Sequence, residues 1–469
     1  MFESAALATA PSPVPARAMA ADADVESIVP PQPTCLRDTG LERALVLSLI
    51  AKTIARLGTA HLPVLAGKLR LSMSVLREAV GTMLAEQLIE VARRGDSDID
   101  IEYQLTGPGQ AFAAAALAEC RYVGPAPVTL DALRAVIVRD ARRHAAAPRI
   151  GAAALAAALC DGPGDEVVDA ALRSQLGAAV YGGRPLLLHG APGCGKTTLA
   201  VKLGRLLQGV VAVPYAVLID HRIVALHDAA IHQPPPPQGR LFDERRNDGR
   251  WLVCQRPVVR VGAELTRAML DCRFDAANGI YHAPPQLQAS GGVLIIDDLG
   301  CQHERVDTLL NRLLGPLERG LDILTLQGGH MEAVPFTVST VFATSRAPQA
   351  LMDAGLLRRI AYKVEIGPLA TPAYLALLRR QCALAQLPWD EAAAAYLLQG
   401  LHAPSGRPML ACLPGELVAR IVDAAGFAGI APRLCAATLD QAWHTLFACC
   451  PPPGAASAVA DHVQSGEIA

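Results

Sequence analysis

The feature that most constrains this chain is the run from Leu186-Leu187-Leu188 through Gly190-Ala191-Pro192-Gly193-Cys194-Gly195-Lys196-Thr197-Thr198 to Leu199-Ala200-Val201. It spells an apolar strand, a glycine-rich turn and a helix start, the order in which a phosphate loop is built. Gly193 and Gly195 open backbone angles closed to residues with a side chain, so that successive N–H groups converge on a phosphate at the positive end of a helix. On this reading residues Gly190 to Thr198 hold a nucleoside triphosphate, Lys196 reaches its β- and γ-phosphates, and the Thr197 hydroxyl ligates Mg²⁺. A strand that delivers such a loop belongs to an α/β fold with a parallel sheet.

About a hundred residues on, Gly291-Gly292-Val293-Leu294-Ile295-Ile296-Asp297-Asp298 is an apolar run ending in two carboxylates, as expected of a buried parallel strand with acids at its C-terminal edge. Asp297 is the expected partner of Mg²⁺ and Asp298 the group that orients or activates the attacking water. Asp298 is one methylene shorter than the glutamate more common there. A third β-branched run, Ser339 to Ser345, places the hydroxyls of Thr344 and Ser345 at its end, within expected reach of the γ-phosphate. Leu356-Leu357-Arg358-Arg359 then sets two guanidiniums at the end of an apolar helical turn.

Together these elements resemble the AAA+ ATPase superfamily over roughly residues 150 to 448. The resemblance implies ATP with Mg²⁺, self-association into a ring, commonly a hexamer, a sensor position at Thr344 or Ser345, and an arginine acting on a neighbouring subunit at Arg358 or Arg359. The helix expected over Arg305–Glu318 and the strands around Gln327-Gly328-Gly329-His330 look like the hairpin of MoxR-like ATPases. One departure stands out. In the helical lid (369–448) the stretch matching the family's second sensor arginine is Pro414-Gly415-Glu416-Leu417, with glycine where the arginine belongs. Arg407 and Arg420 are the substitutes in sequence range, and slow hydrolysis is the expected consequence if neither reaches in.

Formal net charge is -2 over 469 residues, which gives no basic field for nucleic acid or anionic lipid. No apolar run approaches the ~18 residues of a membrane span, and residues 1–38, proline-rich and without a signal-peptide pattern, are expected to be a disordered arm. Twelve cysteines without a C-x-x-C pair suggest reduced thiols and a cytoplasmic protein. Cys194, near a helix N-terminus, is where a thiol pKa tends to fall. His221, His227 and His232 lack the spacing of a zinc site.

Residues 39–122 have their own pattern: helices over 41–57, 62–69 and 72–88, then alternating strands about Arg93-Arg94-Gly95-Asp96. They resemble a winged helix-turn-helix. Over residues 41–121 there are nine Lys/Arg against nine Asp/Glu, and Asp96, Asp98, Asp100 and Glu102 make the wing acidic. That balance favours protein docking over DNA. The expected organisation is completed by a linker helix over 123–149, an α/β core over 150–368 and a flexible tail over 449–469. Within the long stretch before Asp297, Trp251 and the arginines at 245, 246 and 250 are candidates for gripping a client at a ring's pore, with core packing the alternative for Trp251. The functional reading is an ATP-driven remodelling machine with an unknown protein client. The alternatives are a DNA-bound regulator with an assembly-controlling ATPase and a weakly hydrolysing, nucleotide-gated scaffold.

Overall fold

The computed structural model describes residues 28–95, 101–146, 150–160, 168–207, 209–235, 246–327 and 329–448. Its first residues correct the expected arm. Ile28, Val29 and Leu36 are buried, and the segment 28–38 is packed. Asp248 N–H donates to Pro30 O at 2.9 Å and Gln32 N–H to Arg246 O at 3.0 Å, around an antiparallel bridge between Pro31 and Asn247. Prolines suit this position because they need donate nothing. Residues 1–27 lie outside the described residues.

The next unit runs α1 (Arg43–Leu57), β1 (Thr59–His61), α2 (Leu62–Leu69), α3 (Met73–Ala85), β2 (Ile89–Arg94) and β3 (Ile101–Leu105), with antiparallel strand order β1-β3-β2. Val46, Leu49, Ile50 and Ile54 of α1 recur at helical spacing and are fully buried against Val75, Leu76, Ala79 and Met83 of α3. Ser72 caps α3, accepting from Val75 N–H at 3.3 Å while donating to Pro33 O at 2.7 Å. Glu78, midway along α3, accepts from Leu36 N–H at 2.7 Å. One side of α3 is thus covered by the N-terminal segment. Asp96, Asp98 and Asp100 lie outside the described residues. A further helix, α4 (Gly107–Glu119), packs back on α1.

The segment expected as a linker helix over 123–149 does hold a helix, which packs on a second sheet. Its strand β4 (Val128–Thr129) runs parallel to a later strand, Val128 opposite Val217, and α5 (Leu130–Ala146) lays Leu133, Val136 and Ile137 on that sheet's core. Then come α6 (Ala152–Leu159), α7 (Ala170–Gly182), β5 (Leu186–His189) and α8 (Lys196–Arg205). Between α8 and the next core strand the chain makes β6 (Val210–Pro214), β7 (Ala216–Ile219), β8 (Arg222–Ala225) and β9 (Trp251–Gln255), and resumes the core at β10 (Val258–Val261). After β10, β11 (Arg273–Asp275) and β12 (Ile280–His282) complete the second sheet in the order β11-β12-β8-β7-β4.

Here Trp251 is 6% exposed, packed with Val211, Val213 and Cys254. Arg250 is 4% exposed and held by Asp248 at 2.8 Å, with its guanidinium also donating to the carbonyls of Thr39 and Pro127 at 3.1 Å each. Neither faces a pore. Arg245 lies outside the described residues.

The core continues through β13 (Val293–Ile296), α9 (Val306–Arg319), the hairpin β14 (Leu321–Thr325) and β15 (Met331–Pro335), β16 (Ser339–Thr344), α10 (Ala354–Arg359) and β17 (Tyr362–Glu365). Five strands pair in parallel in the order β10-β13-β16-β5-β17. The protein is thus of the α/β class. Alternation divides the strand residues between two layers. Leu186, Leu188, Ile295 and Ala343 face α6, α7 and α8, whereas Leu187, Leu294, Ile296 and Phe342 face α9 and α10. The hairpin sits outside this sheet, anchored by Arg134 of α5 to Ala333 O at 2.9 Å and by Arg312 of α9 to Asp322.

The chain closes with α11 (Thr371–Leu384), α12 (Glu391–Tyr396), α13 (Leu413–Ala428) and α14 (Ala436–Phe447), which share a core of Tyr374, Leu378, Leu417 and Leu439. Residues 449–469 lie outside the described residues.

Candidate phosphate-binding site

Strand β5 ends at His189, and the chain turns through three glycines with positive φ, Gly190 (142°), Gly193 (81°) and Gly195 (87°), before α8 begins at Lys196. Packing demands the first glycine as strongly as the turn does, since a Cβ on Gly190 would lie 2.2 Å from Ile366 O. The N-terminus of α8 opens into a cleft of about 1250 Å³ between the sheet and the lid. Pro192 to Thr198, Asp298 and Ser345 all line it.

Lys196, 7% exposed, donates through Nζ to Gly190 O at 3.0 Å and Ala191 O at 2.8 Å, which folds it over its own loop. Burial lowers its pKa from the ordinary lysine value, while Cys194, Asp298 and Asp297 pull it back up. Thr197 Oγ1 donates to Asp297 Oδ1 at 3.0 Å, although a hundred positions separate them. Asp297 is 8% exposed at the end of β13, whereas Asp298 turns outward with φ of 49°. The site therefore gathers a glycine-rich turn at a helix N-terminus, a cation folded over it, and a hydroxyl and a carboxylate in contact. Hydroxyl and carboxylate oxygens are the hard donors that Mg²⁺ takes beside phosphate. The residues present fit that ion.

The structure separates the other expected residues. Thr344 is 1% exposed and its hydroxyl donates to Leu299 O at 2.7 Å, tying β16 to the turn after β13. That corrects its expected place beside the phosphate; Ser345, the next residue, lines the cleft instead. Arg359 makes a two-pronged bond to Glu318 of α9 at 2.6 and 2.7 Å. Arg358 is exposed and forms no ion pair among the described residues. At Cys194 burial pushes the thiol pKa up against the pull of Lys196, opposite to the fall expected near a helix N-terminus. His227 and His232 stack at 5.6 Å, and among the described residues no His, Cys, Asp and Glu cluster forms a metal site.

The lid meets the phosphate loop directly. Cys412 N–H donates to Gly193 O at 3.0 Å, and a Cβ on Gly193 would sit 2.6 Å from Cys412 Sγ. Gly415 faces Gln381, whose side chain would lie 3.7 Å from a Cβ there, and Gln381 lines the cleft. Arg407 stacks on Phe447 at 3.8 Å and Arg420 bonds to Glu416 O at 2.9 Å. Neither lines the cleft, but Arg380 of α11 does, as does Arg260 of β10. Arg380 was legible in principle. Ala373, Leu377, Arg380 and Gln381 follow helical spacing along one side of α11, offset from the buried Tyr374, Leu378 and Cys382.

A family model described as a domain of unknown function (DUF8689) matches residues 370–445, the lid helices. No curated protein matches the chain. Among solved structures, NtrX from Brucella abortus in complex with ATP is similar at 14% identity and TM-score 0.38, over 71% of this chain and 66% of that one, just under two thirds of its length. The Thermotoga maritima RuvB Holliday junction branch migration motor is similar at 17% identity and TM-score 0.33, over 59% of this chain and 67% of that one. Among the described residues no helix is long and apolar enough to cross a membrane.

Proposed function

We propose that this protein is an ATPase of the AAA+ type that assembles as a ring. The observation that carries the chemistry is the 3.0 Å contact between Thr197 and Asp297, delivered from the phosphate loop and from a strand two places across the sheet. In this reading the N–H groups of Gly193 to Thr197 bind the β-phosphate, and Lys196 exchanges its two carbonyl partners for β- and γ-oxygens. Thr197 and Asp297 hold Mg²⁺, which when bound neutralises charge on the phosphates. Asp298 accepts the proton of the attacking water, and Ser345 positions it.

Arg358, exposed and unpaired among the described residues, is the residue we assign to the neighbouring subunit's site. Arg380 stands in the lid wall where Gly415 carries no side chain. We read the N-terminal unit as a winged helix that docks protein, because α3 is partly covered by residues 33–36. A cytoplasmic hexamer acting on a protein client completes the proposal.

The experiment is nucleotide binding and phosphate release with and without Mg²⁺. Lys196→Ala is expected to abolish binding. Asp298→Asn should bind ATP and lose on the order of 10²-fold in turnover. Wild-type turnover in Asp298→Asn sinks the assigned base.

A further inference from the structure

The lid contains a buried titratable side chain that the phosphate chemistry does not use. His402, 3% exposed, ends a π-helical stretch, Leu397–His402, a form that recurs at functional sites. Its Nδ1 lies 3.1 Å from Arg407 O and its Nε2 lies 2.9 Å from the Tyr374 hydroxyl. A carbonyl can only accept, so Nδ1 carries the hydrogen, and in the neutral ring Nε2 accepts from Tyr374. Trp443 of α14 closes on the ring edge-on at 4.8 Å.

Arg407 begins the segment that ends on the phosphate loop. Gly406, with φ of 59°, turns the chain, and Met409 O then accepts from Leu369 N–H at 2.8 Å. Cys412 N–H reaches Gly193 O at 3.0 Å. One end of this segment is held by His402 and the other bears on Gly193.

We propose that His402 and Tyr374 are positioning residues for the phosphate loop: the neutral imidazole anchors residues 407–412 so that Cys412 seats on Gly193. The effect on nucleotide rests on the ATP reading above. A protonated ring would turn an Nε2–H toward the Tyr374 oxygen, whose own hydrogen has no second partner among the described residues. The titratable groups near it are the Tyr374 phenol of α11 and, close to that phenol, the Cys412 thiol. From α14 comes the uncharged Trp443, and the Arg407 guanidinium is turned onto Phe447. None of these stabilises an imidazolium, and burial holds His402 below the ordinary value of 6.5. The anchor is therefore complete above that value and is lost as pH falls below it, where the unfolded chain takes up the proton first.

The test uses the full chain and two readouts. Hydrogen–deuterium exchange over 407–413 without nucleotide reports the anchor, and titration with a fluorescent ATP analogue and Mg²⁺ reports the site. His402→Phe should raise exchange there and weaken binding about tenfold, the loss expected for a buried hydrogen bond. His402→Gln, whose amide supplies a donor and an acceptor without titrating, should restore both and flatten the acid loss of affinity expected of wild type. A wild-type pH profile in His402→Gln, or unchanged exchange in His402→Phe, overturns the proposal. Should His402→Phe not fold, Tyr374→Phe removes a single oxygen and is read the same way. If wild type binds no triphosphate at any pH the ATP reading fails, and the exchange measurement still decides whether the anchor exists.

Discussion

Gly193→Ala measures how hard the lid bears on the phosphate loop. Two costs arise at this one position. A side chain at φ of 81° costs about 1–2 kcal/mol. The new Cβ would also stand 2.6 Å from Cys412 Sγ, so the segment carrying Cys412 must retreat and weaken its bond to Gly193 O. That loss is worth about 1 kcal/mol. The sum, about 2–3 kcal/mol, corresponds to roughly 30- to 150-fold weaker nucleotide binding. Adding Cys412→Ala removes the sulfur but leaves the backbone strain, so the double variant should regain about fivefold, a coupling of about 1 kcal/mol. The assay is equilibrium titration of a fluorescent ATP analogue with Mg²⁺ across all four members of the cycle. Strict additivity would refute the contact between lid and loop as a determinant of affinity.

Arg380→Ala should slow hydrolysis more than Arg407→Ala or Arg420→Ala, since only Arg380 of the three lines the cleft; Gly415→Arg, pointing at Gln381, should partly compensate. Steady-state turnover of these variants checks the ordering, and equal losses in all would count against it. Arg358→Ala should bind ATP yet turn over roughly 10³-fold more slowly, and mixing it with Lys196→Ala should restore activity. Arg359→Ala, which only frees Glu318, should leave turnover close to wild type. Asp248→Ala leaves the buried Arg250 without its carboxylate and should destabilise the fold by about 3 kcal/mol. A denaturation midpoint unchanged in that variant would contradict the buried pair.

What the sequence made legible was local. The phosphate loop, the apolar strand before Asp297 and the helix over Val306–Arg319 each carry their signal within a dozen residues. Strand β1, three residues long, offers no alternation to detect. The second sheet draws strands of two to four residues from positions 128 to 282, so its pairing is nonlocal. Prolines at 30, 31 and 33 suggested disorder because composition does not reveal that Asn247 and Asp248 supply a partner. Thr344 and Ser345 are chemically alike and adjacent. Which hydroxyl faces the cleft depends on the register of β16, where Thr344 stands opposite His189. Arg380 shares the helical stripe of Ala373, Leu377 and Gln381, but nothing in the sequence says that this stripe faces a cleft.

The bonds from Arg250 to Thr39 and Pro127 span 211 and 123 positions of sequence. During synthesis the amino-terminal helices can collapse early on their local contacts, yet the clasp that fixes residues 28–41 must wait until residue 250 has left the ribosome. Over that interval Val29 lacks the core partners Trp251 and Cys254, and buried apolar surface left open during folding invites misassociation. Nonlocal closures of this kind slow folding. A chain cut between residues 130 and 240 would therefore keep its first helices and lose the tie that Arg250 makes to Thr39 and Pro127.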